Sequence, residues 1–448
     1  MIAFFGKLWR NNRGNTLAIA AAAMPLFIGA AGLATDTIQW TLWKRQLQRA
    51  ADSAAIAGVY NREDASGATT TTKAAVDHDL GLNLHSFYAL KSSATDYPDC
   101  SNKCKVEFPT DTTYSYNAVK VTIAIQQPLT FSSFFMSTAP TITAVSTAAA
   151  IAAGGDACVE ALETNSGKTG ITNNGNTDIY MPDCVMFSNS PSANSASAGG
   201  SSKVNALAVA AVGGIAQSKN WTVGSYRPYS PKLPDPFAKV NPDPADMNCT
   251  TDALDDGMTA AKFKSYAAGT NCFSSLSVRS NKSLNLDSVI GAGTKTIYIN
   301  GGGVDFQGDF TCTSCTIVMT NKDPSQTATI GGMDANAKAN INVTAPDKNC
   351  GCTFKGIAFY QDRRATDSAT NKINGGSGSA IIGAVYFPSQ ELWYNGNGTT
   401  AAICTMIVSR RVTFIGNSTV SNKFKKLSDC ADVGLPSSST IRYVRLVG

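Results

Sequence analysis

The chain is read as an N-terminal transmembrane helix with a small α+β unit, followed by a mainly-β domain of the right-handed parallel β-helix class, with a β-sandwich as the alternative. Three observations predict this. An uncharged stretch of about twenty residues lies between Arg13 and Asp36, long enough to cross a bilayer as one helix. The texture changes at Ala153-Gly154-Gly155-Asp156, after which short apolar segments alternate with Asn, Gly and Ser. All twelve cysteines lie beyond residue 99.

The apolar stretch comes first. Lys7, Arg10 and Arg13 precede it, and no acidic residue occurs before Asp36. That bias predicts a cytoplasmic N-terminus and an extracytoplasmic remainder, with the span at about 15–35. A cleaved signal peptide is the competing expectation, with small residues near Gly32 and Ala34 as its cleavage site. Helical periodicity beyond the span argues for retention. Trp40, Trp43, Leu47, Ala50, Ala51, Ala54, Ala55 and Gly58 recur on one face, while Lys44, Arg45, Arg49 and Asp52 occupy others. Residues 1–60 are therefore expected to form one long helix, with Pro25 allowing a kink within the membrane.

Residues 61–154 are expected to form a small α+β unit. Asn61–Thr72 is polar and loop-like, and Lys73–Tyr88 suits a helix. Val119–Ile125 alternates apolar and polar residues, as a half-buried strand does. Leu129–Met136 reads as a short apolar helix around Phe131, Phe134 and Phe135, and Thr141–Ala153 as a second strand.

From 155 to 448 the segments are mostly three to six residues long, with Asn and Gly between them. Thr296–Asn300, Thr316–Met319, Ile341–Thr344, Gly356–Tyr360, Ala380–Phe387 and Val412–Asn417 are examples. Stacked β-circuits of about 20–30 residues would bury such segments against one another. Gly301-Gly302-Gly303 and Gly375-Gly376-Ser377-Gly378 suit tight corners. Residues 221–272 interrupt the pattern with Pro228, Pro231, Pro234, Pro236, Pro242 and Pro244, and read as an insertion carrying a short helix near Met258–Tyr266.

Composition narrows the function. Only 15% of residues are charged and the net charge is +5, too little to argue for a nucleic-acid partner. Two histidines, His78 and His85, are a poor supply of general bases. The cysteines fall in near-sequential sets: Cys100 and Cys104, Cys158 and Cys184, Cys249 and Cys272, Cys312 and Cys315, Cys404 and Cys430. On the extracytoplasmic side these ten are the candidate disulfide cysteines, with short-range bridges the economical expectation. Cys350 and Cys352 stand too close for an easy bridge, and one or both are expected to reach a more distant partner.

Arg13–Ala20, Met24–Gly29, Gly32–Asp36 and Leu47–Gly58 together resemble the N-terminal segment of TadG-like proteins of the Tad (Flp) pilus-assembly systems. The resemblance covers about the first sixty residues. It implies a bacterial inner-membrane protein, single-pass, with a periplasmic C-terminal domain and with other Tad/Flp assembly components as partners. It also implies a pilin-like α+β unit after the helix. Processed pilins carry a glutamate five residues after the cleaved glycine. Counting from Gly14 that position is Ile19, so pilin-type processing is not expected.

Candidate chemistry is scattered along the chain. Cys312-Thr-Ser-Cys315 has redox spacing but lacks a βαβ context, and a zinc site with Cys350 and Cys352 competes with disulfides. Many TadG-like proteins carry a metal site beginning Asp-x-Ser-x-Ser, and Asp323-Pro-Ser325-Gln-Thr327 approaches it only loosely. Gln361-Asp362-Arg363-Arg364 with Arg410-Arg411 is the best candidate for polysaccharide lyase or hydrolase chemistry. His78 and His85 stand seven apart, wider than the usual helical metal pair. Trp393-Tyr394 before Asn395-Gly396 suggests either a glycan contact or a cover for the core. Ala22, Gly29, Ala30, Ala54 and Gly58 offer small-residue faces for helix association. The expectation is a non-enzymatic envelope protein that binds and positions, without a cofactor or metal and possessing no catalytic residue. A glycan-binding adhesin and a β-helix polysaccharide lyase or hydrolase are the alternatives.

Overall fold

A computed structural model describes residues 12–64, 67–84, 89–110, 117–368, 370–374, 376, 378–395, 404–416, 419–421, 427–436 and 440–447. The chain divides into two compact units, residues 1–151 with 444–448, and residues 152–443.

In the first unit, helix α1 (Asn12–Asp64) is long and apolar enough to cross a membrane, and Pro25 lies within it. From residue 19 to residue 31 its side chains are almost all exposed within the unit. Further along, Leu47, Ala50, Ala51, Ala54, Ala55 and Val59 are buried on the face that periodicity marks. They pack on an antiparallel sheet of β1 (Cys104–Glu107), β2 (Val119–Ile125) and β3 (Ile142–Ala161). β2 supplies Val119, Val121 and Ile123 to that interface. Helix α2 (Thr69–Asn83) closes the core with Val76 and Leu80. Gly58 lets the layers meet, since a Cβ there would lie 2.9 Å from Val119 and 3.0 Å from Val76.

Three local expectations change. Asn61–Asp64 and Thr69–Thr72 are helical rather than loop, because Arg62 hydrogen-bonds the Ala118 carbonyl and Gly67, at φ +85°, makes the turn between helices. The apolar segment after β2 holds one 3₁₀ turn, Ser132–Phe134, instead of a helix. Ala54 and Gly58 are consumed by packing inside the unit, whereas Ala22 and Ala30 stay exposed. Lys7, Arg10 and His85 lie outside the described residues, as do Gly375 and Ser377 of the second glycine run.

The second unit is mainly β, built of parallel ladders. One ladder runs through Cys272–Phe273, Lys295–Asn300, Cys315–Thr320, Ile357–Gln361, Ala380–Tyr394 and Thr405–Phe414. It then continues into the second half of β3, Asp178–Ser188, Lys203–Ala211 and Trp221–Arg227. Spatial order is thus not chain order, because the strands that come first in sequence stack beyond Thr405–Phe414. A second ladder joins Leu254–Asp255, Leu276–Val278, Val304–Phe306, Met333–Ala335 and Thr370–Ile373. It passes on to the ends of Ala380–Tyr394 and Thr405–Phe414, then to Ile171–Asn173 and Ala196–Ala198. A third, shorter ladder links Ser283–Asn285, Asp309–Cys312, Ile341–Thr344 and the start of Ala380–Tyr394. Their inward residues, among them Phe273, Phe306, Phe310, Ile317, Phe359, Val385, Ile407 and Phe414, share one buried core.

Trp221–Arg227 pairs with Lys203–Ala211, so it belongs to the ladder, and the proline-rich excursion starts only after it. From Arg227 the chain must reach Cys272 at the opposite end of the first ladder. That is nine strand steps of about 4.8 Å, or roughly 43 Å. The excursion makes this crossing along the outer face of the ladder. Leu233 exchanges two 3.0 Å hydrogen bonds with the Asn189 side chain. Asp235 and Phe237 meet Tyr386, Val240 accepts from Tyr360, and Met247 accepts from Lys322. Cys249 then bonds Cys272. The short helix Ala260–Lys264 comes next, its N-cap Thr259 accepting from Lys262 N–H.

All twelve cysteines are paired, each with its neighbour in sequence. Cys350–Cys352 corrects the expectation of distant partners. Gly351 between them takes φ +64°, which sets their Cα atoms 5.2 Å apart, within bridging range.

Candidate functional site

The charged groups of the segment after Ile357–Gln361 and of Arg410-Arg411 divide among three separate sets of partners. Asp362 is buried and accepts from Thr320 Oγ1 at 2.7 Å. Arg364 grips the same carboxylate through Nε and Nη2, the latter at 2.7 Å, and also donates to the Asn321 carbonyl. Arg363 turns to the other side of the strand. There it pairs with Asp235 at 3.1 Å, donates to the Phe237 carbonyl and to Asn241, and lies 5.7 Å from the Tyr386 ring.

Arg410 and Arg411 serve a third set of acids. Both reach the buried Glu163, Arg411 at 2.7 Å and Arg410 at 3.2 Å, and Arg411 also holds Asp367 at 2.7 Å. Burial alone would push the Glu163 carboxyl up, but Arg411, the Asn165 N–H and Arg410 outweigh it and hold it below its ordinary value. Arg411 likewise lowers Asp367. Such ionised, saturated carboxylates are poor general acids.

One carboxyl behaves in the opposite way. Glu160 occupies the outer row of the first ladder between Val408 and Phe187, completely buried and close to Asp235 of the crossing excursion. Asn189 Nδ2 donates to Oε1 at a long 3.4 Å, while Oε2 has no hydrogen-bond partner among the described residues. Burial, reinforced by the nearby charge of Asp235, raises its pKa well above the ordinary carboxylate value.

The remaining sequence candidates fall in separate places. Cys312–Cys315 and Cys350–Cys352 are two disulfides, so the four sulfurs considered for zinc bond one another. Asp323 accepts from both N–H and Oγ of Ser325, closing a local turn. His78 is exposed on α2. Tyr394 is buried against Phe414, whereas half-exposed Trp393 donates to Glu391 at 2.9 Å and carries Lys372 5.9 Å above its ring. Gly396 lies outside the described residues.

Sequence reading missed a continuous outward row on the second ladder. Strand register aligns Asp255, Ser277, Asp305, Asp334, Lys372, Trp393, Thr413, Thr172 and Ser197. Around Asp305 and Asp334 an open groove is lined by Ser277, Gly303 and Gly332. Parallel pairing spaces successive rungs by about 4.8 Å, so carboxylates, ammonium and indole succeed one another along one line. The available signal was a polar residue between two apolar ones, as in Val304-Asp305-Phe306 and Met333-Asp334-Ala335.

The anchor has its own geometry. The long exposed apolar surface of α1 leads directly into the segment packed on the antiparallel sheet. Residues 14–66 match the Tad family model, "Putative Flp pilus-assembly TadE/G-like". This TadE/G-like segment covers α1 almost whole and ends at the turn before α2. It supports membrane association and an association with Flp pilus assembly. No curated protein and no solved structure gives a match.

Proposed function

We propose that this chain is a single-pass inner-membrane protein that serves Flp pilus assembly by binding and positioning partners. The single observation carrying the proposal is the TadE/G-like match on a helix long and apolar enough to span a bilayer. Lys7, Arg10 and Arg13 favour a cytoplasmic N-terminus, and six disulfides suit a periplasmic location for the two folded units.

The larger unit is read as a three-sided parallel β-helix. In favour of this, every third strand pairs in parallel over Leu276–Ile373, which is the register of a chain winding in three-strand circuits. A rigid elongated surface of this kind suits docking of assembly components. The ion pairing of Asp362, Glu163 and Asp367 favours binding over bond chemistry, since each carboxylate is already committed to an arginine.

The test is electron-microscopic counting of thin pili on cells lacking the chain, with re-expression as control. Loss and rescue would support the assembly role, and unchanged pili would overturn it.

The row from Asp255 to Ser197 favours a second reading, a glycan-binding adhesin. Aligned carboxylates accept hydrogen bonds from sugar hydroxyls, and the half-exposed Trp393 offers an apolar ring edge. Retention on polysaccharide arrays that Asp334→Ala with Trp393→Ala abolishes would support this reading.

A further inference from the structure

We infer that the loop from Leu129 to Met136 is a second membrane contact, dipping into the bilayer surface beside α1. This rests on the reading of α1 as a membrane anchor.

The first observation is where the loop sits. Along α1 from residue 19 the first buried positions are Gly32 and Asp36. Both are covered by this loop. A Cβ on Gly32 would come within 2.3 Å of the Phe131 ring. The carboxylate of Asp36, 4% exposed, accepts from the backbone N–H groups of Phe131 and Ser132 at 3.1 and 2.5 Å. Asp36 is also the first charged residue after Arg13. At 1.5 Å per residue the uncharged stretch is roughly 33 Å long, about the thickness of the hydrocarbon core. The loop is therefore fastened to the helix where the span ends.

The second observation is what the loop displays. Phe134 is 80% exposed, Phe135 73% and Met136 42%, side by side. From Gln126 to Ile142 there is no charged residue. Three adjacent large apolar side chains pointing away from a folded unit need a partner. The contact of Phe131 with Gly32 sets the loop at the level of Leu33, which is exposed, and Ile28 and Phe27, about one turn back along α1, are exposed as well. A bilayer that covers those residues meets the loop at the same level.

The helix is dressed for that boundary. Thr35, Thr37 and Thr41 return their hydroxyl hydrogens to carbonyls four residues back, which satisfies them where water is scarce. Further from the span, exposed Arg45 and Lys44, whose Nζ also donates to the Thr143 carbonyl, carry the first positive charges beyond Asp36, as suits the headgroup layer. The occupant is thus the acyl–headgroup boundary of the leaflet on the C-terminal side of the span. The consequence is orientation, because a helix alone can rotate about its axis, whereas a helix with a lateral foot is held in one rotational setting.

The experiment uses the full chain in nanodiscs of phosphatidylethanolamine and phosphatidylglycerol. A fluorescent amino acid replaces Phe135, Ile28 or Leu82 in turn, and quenching is read with nitroxide lipids labelled near the headgroup or mid-chain. At insertion depths of about 5–10 Å the probe at 135 should lose roughly half its emission to the shallow quencher, and Leu82, on α2, less than about a tenth. Ile28 should respond to the mid-chain quencher. Equal, weak quenching at 135 and 82 with Ile28 still quenched overturns the loop contact alone. An unquenched probe at 28 overturns the anchor and the loop contact with it.

Discussion

Replacing Glu160 by Gln should make the second unit more stable at neutral pH. The carboxyl is completely buried, one oxygen lacks a partner among the described residues, and Asp235 adds a like charge nearby. Its pKa is raised, so the folded state holds a proton that the unfolded chain releases above about pH 4.3. Protonation therefore favours the folded state. The stability is fully present below the unfolded pKa and is lost as pH rises toward the folded pKa, at about 1.4 kcal/mol per pH unit. For a unit of this size that slope corresponds to roughly 2 °C of Tm per pH unit. Gln mimics the protonated acid, keeping an oxygen for Asn189 and supplying N–H donors in place of O–H. Thermal unfolding of both proteins in detergent from pH 4 to 8 should give curves that coincide near pH 4 and separate above it until the folded pKa is passed, with the variant higher. Parallel curves at every pH, or a parent that gains on the variant as pH rises, would refute the reasoning.

Three further outcomes test other parts of the structure. Asp362→Ala should cost about 3 kcal/mol, because it leaves Arg364 without its carboxylate in a partly buried setting, and a thermal melt equal to that of the parent would contradict the pairing described. Cys249→Ser with Cys272→Ser should cost about 3 kcal/mol and expose the crossing excursion near residues 228–248 to limited proteolysis, read as faster cleavage there than in the parent. Gly356→Ala should destabilise by about 2 kcal/mol or more in a denaturant titration, since φ is +74° and the new Cβ would lie 2.5 Å from the Gly434 carbonyl oxygen.

Local patterns made much of the first unit legible. The buried stripe from Leu47 to Ala55 comes from helical spacing, and β2 from strict alternation over Val119–Ile125. Conformations decided by a single residue were not: the close Cys350–Cys352 bridge depends on the positive φ of Gly351, and the α1–α2 turn on that of Gly67. In the second unit, strand existence was legible but spatial order was not. Val408 neighbours Glu160 across 248 positions, and no local periodicity encodes a register of that separation. Trp221–Arg227 was hidden by the prolines after it, because proline density reports where pairing stops and not where it starts. The row through Asp305 and Asp334 rests on three-residue strands, too short for a period-two signal to stand out.

The crossing excursion accounts for several features that seem unrelated in the sequence. Strands 157–227 stack away from Thr405–Phe414 in one direction, and strands 272–414 approach it from the other. A chain with that order must return across the whole ladder. Prolines suit the return because it needs an extended backbone without ladder pairing of its own. Its contacts must instead come from side chains, which explains why Asn189, Lys322, Tyr360, Arg363 and Tyr386 all reach out to it. Its cover also turns an outer strand face into a second core, where Phe237 packs edge-on against Tyr386 and Tyr386 stacks with Tyr360. Glu160 is the cost of that arrangement, an outward-facing acid trapped when the face it occupied became interior. The face of the second ladder carries no comparable crossing strand among the described residues, and Asp305 and Asp334 remain exposed there. Of the two long faces, that one is uncovered, so under the proposed binding role substitutions at Asp305 and Asp334 should change binding without changing stability, whereas those at Glu160 and Asp362 should change stability.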